Sequence, residues 1–459
     1  MTSASVPLPG QPRPRSEEPP ALKRVISRNM LLLFVIGDML GAGIYALVGE
    51  VGGRVGGAIW TSFLLAAVLA AFTAGAYAEL VTKYPQAAGA ALYANKAFKR
   101  PFVTFMVAFA VMLSGITSAS TLARAFGGDY LGEFISLPTV LVAMGFMLVV
   151  AAINYRGIGE SVRINIGLTL IEVGGLLLII VIALGAVFAG DAEPSRAVEF
   201  TQDEAVPFAI LGGAGLAFYA LIGFEDSVNV AEEAKDPQRD YPRALYGGLF
   251  VAGCIYLIVS ALASMVVPID TLSGSDGPLL EVVQVGPLAV NTKIFAAIAL
   301  VAVSNTALIN MIMASRIVYG MARQGIIPSA LGRVDGARQT PVLAIVFTTL
   351  VAFVLIATGD LGTLADMTVL LLLLVFAVVN IAVLVLRRER VDHDHFRIPT
   401  WIPAAGFVIS LVVMTTKEGE IFLRATGLLA LGVVLYLVNR VLTGPRGPFK
   451  TEELEVLKG

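Results

Sequence analysis

Four carboxylates stand inside long apolar runs, where charge is costly. Asp38, Glu172, Glu225 and Asp226 are these residues, and an ionisable group at membrane depth implies a function. A buried carboxyl favours its neutral form, so it can exchange a proton near neutral pH or hold a cation. Glu172 lies about ten residues into its run, which at 1.5 Å per residue is roughly half of a ~30 Å hydrocarbon core. It is either a proton-exchange site or a neutral carboxyl bonded to a neighbouring helix. Asp38 can bind a proton, a sodium ion or a basic substrate group, or cap backbone N–H groups. Glu225 and Asp226 are neighbours, and adjacent helix positions point about 100° apart. One is therefore expected to face a cavity and the other to pack elsewhere. Glu79, near the end of its run, reads as a gate or an ion pair, and Asp366 as wetted near the opposite face.

The second chemical signal is glycine. Gly37, Gly41, Gly43 and Gly49 fall within IGDMLGAGIYALVG, and Gly212, Gly213, Gly215 and Gly223 within LGGAGLAFYALIGFEDSVNVAEE. A glycine in a helix interior is worse than alanine by roughly 1 kcal/mol. The clusters predict interruptions near Gly41–Gly43 and near Tyr219–Gly223; close helix packing is the other reading. An interrupted helix frees N–H groups, which with the positive helix end bind an anion. The freed carbonyls bind a cation. A zwitterionic α-amino acid satisfies both. Ala42, Ala220 and Leu221 near the breaks favour a neutral amino acid, whereas Asp38 and Glu225 favour a cationic amino acid or a polyamine.

The elements that carry these residues follow from composition. Of 459 residues, 57% are hydrophobic and 14% charged, and mean hydropathy is +0.83. A soluble domain carries about 25% charged residues, so a soluble enzyme and a disordered chain are both excluded. The single cysteine, Cys254, excludes a disulfide scaffold, and a net charge of −2 gives no field for nucleic acid. Membrane spans of about 20 residues are predicted near 30–51, 58–82, 102–127, 134–153, 162–188, 207–230, 244–267, 294–315, 341–358, 363–386, 400–416 and 421–439. The Pro-rich residues 1–25 read as a disordered tail rather than a cleavable signal. With the N-terminus in the cytoplasm, all Lys and Arg fall on the cytoplasmic side except Arg54, Arg124, Arg196, Lys293, Lys417 and Arg424. That asymmetry places both termini inside.

Four segments carry a family resemblance: GDMLGAGIYALVG (37–49), YAELVTKYPQAAGAALY (77–93), AFYALIGFEDSVNVAEEAKDPQRDYPRAL (217–245) and ASRIVYGMARQGIIP (314–328). The chain resembles the amino acid–polyamine–organocation superfamily of transporters with the LeuT-like fold. The resemblance implies an all-α polytopic protein of about twelve transmembrane helices. Helices 1–5 (26–190) and helices 6–10 (207–386) form a 5+5 inverted repeat joined by an extracytoplasmic loop (191–206). Helices 1 and 6 are broken. Helices 11–12 with their preceding loop occupy 387–443, and a cytoplasmic tail 444–459. By resemblance, the Gly-x-Gly at Gly41, Ala42 and Gly43 presents the N–H groups of Ala42, Gly43 and Ile44 to a substrate carboxylate. The carbonyls of Met39, Phe218, Tyr219 and Ile222 receive the amino group. Ala42 stands where some members carry serine, and Glu172 where several proton-coupled members carry lysine. Ser304, with Asn305, Thr306 and Asn310, would supply the oxygens of a sodium site, or hydrogen bonds between helices.

The expected function is secondary active transport of an amino acid across the cytoplasmic membrane by alternating access, coupled to protons, with sodium the other candidate ion. Carriage of a polyamine or another organic amine is the alternative. A membrane-embedded lipid enzyme would need acids or histidines clustered at one face. The only histidines, His393 and His395, lie in the polar loop RRERVDHDHF, expected to be solvated rather than metal-binding. A substrate sensor of the same fold is a third reading. No Gly-x4-Gly-Lys-Ser/Thr loop offers ATP coupling, and no cofactor is expected. Partners are the substrate, the coupling ion and the bilayer.

Overall fold

The computed structural model describes residues 24, 26–86, 89–157, 162–287, 290–335, 338 and 340–443. The tails expected over 1–25 and 444–459 lie, apart from Arg24, outside the described residues. Helix occupies each of the twelve predicted stretches. In chain order the helices are α1 (Arg28–Met39), α2 (Gly43–Val55), α3 (Ile59–Lys83), α4 (Gly89–Phe98), α5 (Pro101–Ala125), α6 (Thr139–Arg156), α7 (Val162–Ala189) and α8 (Val206–Ala217). Then come α9 (Pro237–Val266), α10 (Ile269–Ser273), α11 (Pro278–Val285), α12 (Thr292–Arg323), α13 (Val342–Thr358), α14 (Leu361–Leu386), α15 (Trp401–Met414) and α16 (Gly419–Thr443). Among the described residues, nine segments are long and apolar enough to cross a membrane, and the bent pair α1–α2 makes a tenth. Helices α13 and α15 are apolar but shorter.

Local chemistry explains where several helices depart from the predicted bounds. Helix α9 starts seven residues before the predicted 244, because the Asp236 side chain caps the Arg239 N–H and Pro237 occupies the first turn. Helix α6 starts at Thr139 rather than 134, behind Pro138, whose extended ψ of 122° ends the preceding loop.

Helix α2 packs on α8, and α1 on the 3-10 segment Asp226–Glu233. The first half of the first span thus lies beside the second half of the sixth, so the two run antiparallel. Ile26, just before α1, exchanges backbone hydrogen bonds with Glu233 and Lys235 at 3.0 Å each. That bridge ties the start of the first span to the end of the sixth. On the same face, here called the terminal face, the Arg387 guanidinium grips Glu79 through two bonds of 2.7 and 2.6 Å. Lys83 there donates to the carbonyls of Leu386 and Glu389. Glu79 is thus an ion pair between α3 and the end of α14.

The opposite face corrects one expectation. Asp366 is not wetted: it is 1% exposed and pairs with Arg54 at 2.6 Å and Lys417 at 2.5 Å. A carboxylate this enclosed needs such partners.

Candidate functional site

Both expected interruptions are present. The first span breaks over 40–42 and bends by 43°. In the sixth, α8 stops at Ala217, a 3-10 turn covers Phe218–Leu221, and Ile222 is extended with ψ 149°. Gly223 follows at φ +128°, a conformation open to glycine alone.

The breaks touch. A Cβ added to Gly43 would lie 2.6 Å from the Ala220 Cα, and one added to Gly223 would lie 2.5 Å from the Asp38 carbonyl oxygen. Tyr256 of α9 clasps them: its hydroxyl donates to the Met39 carbonyl at 2.5 Å and sits 3.1 Å from the Ala220 carbonyl. Tyr256→Phe leaves these buried carbonyls without that donor. The expected result is a destabilisation of about 1–3 kcal/mol, read as a lower melting temperature of the purified protein; an unchanged melting temperature would mean the clasp contributes nothing.

A cavity of about 170 Å³ lies at the breaks and extends toward the terminal face, reaching Gly89, Asn229 and Met321. Its walls come from α1, α2 and the sixth-span break on one side, and from α5, α12 and α14 on the other. Helix α2 begins at Gly43, so the N–H groups of its first turn have no intrahelical acceptor. The N–H of Ala42 points to the Thr306 hydroxyl oxygen at 3.5 Å.

The cavity brings together Asp38, Met39, Gly41, Ala42 and Gly43 with Tyr219, Ile222, Glu225 and Asp226. Ile44, Phe218, Glu172 and Ser304 do not line it. Glu225 and Asp226 both line it, against the expectation of one. The helical 100° rule fails there because Gly223 to Asp226 is turn and 3-10 backbone. Glu225 accepts the Gly223 N–H at 2.9 Å, so it caps the break. The carbonyls expected to receive an amino group are partly engaged: Met39 by Tyr256, and Tyr219 by the Ile222 N–H at 3.3 Å. A carbonyl oxygen has a second lone pair.

Glu172 is 1% exposed and accepts from Asn305 Nδ2 at 3.2 Å, while its backbone carbonyl receives the Tyr45 hydroxyl at 2.6 Å. It thus joins α7 to α12 and α2, behind the cavity wall. Ser304 donates to Leu300 of its own helix at 2.6 Å. Among the described residues, no group of three or more His, Cys, Asp or Glu could hold a metal ion.

Contacts from the spans at 102–127, 294–315 and 363–386 are expected from the sequence, and Asn310 is named there, but the residues that Asn310 meets are not. Asn310 donates to the Ser118 hydroxyl at 3.0 Å, and Ser118 meets the Tyr219 hydroxyl at 2.9 Å. The small, hydroxyl-rich run SGITSAS (114–120) in an otherwise apolar span is the signal that points to Ser118.

The family model described as amino acid permease matches residues 27–435, nearly the whole chain. The chain belongs to the amino acid permease family. This permease is 26% identical to the branched-chain amino acid permease BcaP of Bacillus subtilis, over 91% of this chain and 93% of that one. It is also 26% identical to the methylthioribose transporter of the same organism, over 91% and 94%. A vacuolar cationic amino acid transporter of Arabidopsis thaliana is 28% identical over 81% of the permease and 65% of its own length. The family is one of transporters, not enzymes, and this member is a multi-pass membrane protein.

Proposed function

We propose that this permease carries an amino acid across the cytoplasmic membrane by alternating access, driven by a proton gradient, with both termini in the cytoplasm. The observation that carries the reading is the pair of touching breaks over one cavity. The first turn of α2 offers N–H groups for a carboxylate, and Met39 and Tyr219, whose carbonyls would receive an ammonium, line the same space. The names of the branched-chain and cationic amino acid transporters among its relatives support an amino acid as cargo. With the termini inside, the cavity extends toward the cytoplasm. A second reading, an organic amine, is favoured by the three cavity carboxylates Asp38, Glu225 and Asp226. It leaves the α2 N-terminus without an anion to bind.

The test is uptake by liposomes carrying the purified protein, with a panel of amino acids and amines under imposed pH and sodium gradients. Uptake of no amino acid would overturn the reading. Glu172 is the proposed proton carrier, because it is buried and linked through Tyr45 to α2 and through Asn305 to α12. Glu172→Gln keeps the size and the Asn305 contact but cannot titrate. The expected result is uptake that no longer responds to the pH gradient; an undiminished response would place the proton elsewhere.

A further inference from the structure

We propose that the cavity selects amino acids with an uncharged, apolar side chain, and that Gly115 sets how large that side chain can be. The proposal rests on the amino acid transport reading above and deepens it.

The cavity has two unlike walls. Its carboxylates come only from α1 and the sixth-span break. The wall built by α5, α12 and α14 carries no charged side chain among its described lining residues. An amino acid whose carboxylate faces α2 and whose ammonium faces the Met39 and Tyr219 carbonyls turns its side chain toward this second wall.

That wall has little left to grip a polar group. Ser114 donates to the Val111 carbonyl at 2.7 Å, Thr368 to the Thr117 hydroxyl at 2.8 Å, and Thr306 to the Ala302 carbonyl at 3.3 Å. Ser118 is held between Asn310 and Tyr219. Apart from the Asn310 amide, the wall's other lining side chains include the hydrocarbon of Val111, Met313, Ile317 and Leu372. A charged side chain placed there would lose its hydration without gaining a partner of opposite charge.

Gly115 is the position where this wall has room. A Cβ there would meet only the Asn310 carbonyl oxygen at 3.4 Å and the Ala314 Cβ at 4.0 Å, both ordinary contacts. By contrast, the break glycines Gly43 and Gly223 would collide with backbone. A methyl group at 115 is therefore compatible with the fold: it rests against α12 in ordinary contact and narrows the cavity that Gly115 lines.

The experiment uses the full-length protein in liposomes and compares labelled leucine and alanine, with lysine, arginine and putrescine as competitors. Leucine and its apolar relatives are expected to compete, and the cationic compounds to compete at least about 10-fold more weakly. Gly115→Ala is expected to lower the leucine-to-alanine uptake ratio about 10-fold, the usual effect of one methylene in a binding pocket, and to spare alanine uptake. Lysine competing as well as leucine would overturn the side-chain class while leaving amino acid transport standing. An equal loss of leucine and alanine uptake in Gly115→Ala would make position 115 a packing site and overturn its role. If the wild type carries no amino acid, the transport reading itself falls.

Discussion

Gly43→Ala is expected to reduce amino acid uptake by about 100-fold, the scale of loss that follows a misplacement of roughly 1 Å at a substrate site. The argument is steric. The new Cβ would stand 2.6 Å from the Ala220 Cα. The obstacle is backbone, so no side-chain rotation relieves it, and the two breaks must separate. Separation pulls the N–H groups of α2 away from the carbonyls of the sixth span and loosens the hold of Tyr256, which reaches both. The substrate would then meet either end but not both. Gly212→Ala is the control, since a Cβ at Gly212 has nothing within 4 Å. It should leave uptake unchanged. Both variants should elute as single folded species. Uptake by Gly43→Ala near the wild-type rate would mean that close contact of the breaks is not required.

The breaks are legible in the sequence because glycine clusters are unusual inside apolar helices, and the positions expected, 41–43 and 219–223, lie within a residue or two of those observed. The spans are legible because a membrane helix announces itself by length and hydropathy alone. What stays hidden needs knowledge of which helix faces which. Tyr256 is one tyrosine on an apolar span, and nothing local marks it as the clasp of two carbonyls on other helices. Arg54 and Lys417 read as loop charges on the outer side, although both reach Asp366 across the fold. Glu225 and Asp226 are expected on different sides of a helix that the chain does not form there. Ser304 reads as a sodium ligand or as a hydrogen bond between helices, and the bond its hydroxyl donates goes to its own helix. That the spans at 102–127, 294–315 and 363–386 contribute to the cavity is expected, but which of their residues meet around Gly115 is not, because no single window contains all three.

Asp366→Ala should be the most destabilising single substitution on the opposite face, costing about 3–5 kcal/mol, as when one member of a buried ion pair is removed. The side chains of Asp366 and Lys417 are 2% and 0% exposed. Burial already pushes the Lys417 pKa below the ordinary lysine range, and the nearby Asp366 charge pulls it back up. Without Asp366, the ammonium keeps only its bond to the Gly215 carbonyl at 2.8 Å. Arg54 suffers less, because its side chain is 29% exposed and can turn to water. The destabilisation therefore comes from Lys417, and that can be isolated. Asp366→Ala with Lys417→Met removes the stranded charge and keeps an unbranched side chain of similar length in its place. The double variant should melt well above the single one, though below the wild type, since Gly215 at the open end of α8 loses its donor. Melting temperatures of the three purified proteins decide it. A double variant no more stable than Asp366→Ala would show that the penalty lies in lost packing around α14. The expected order instead gives the turn between α15 and α16 a specific structural role, because its lysine neutralises a carboxylate and satisfies a broken helix end at the same time.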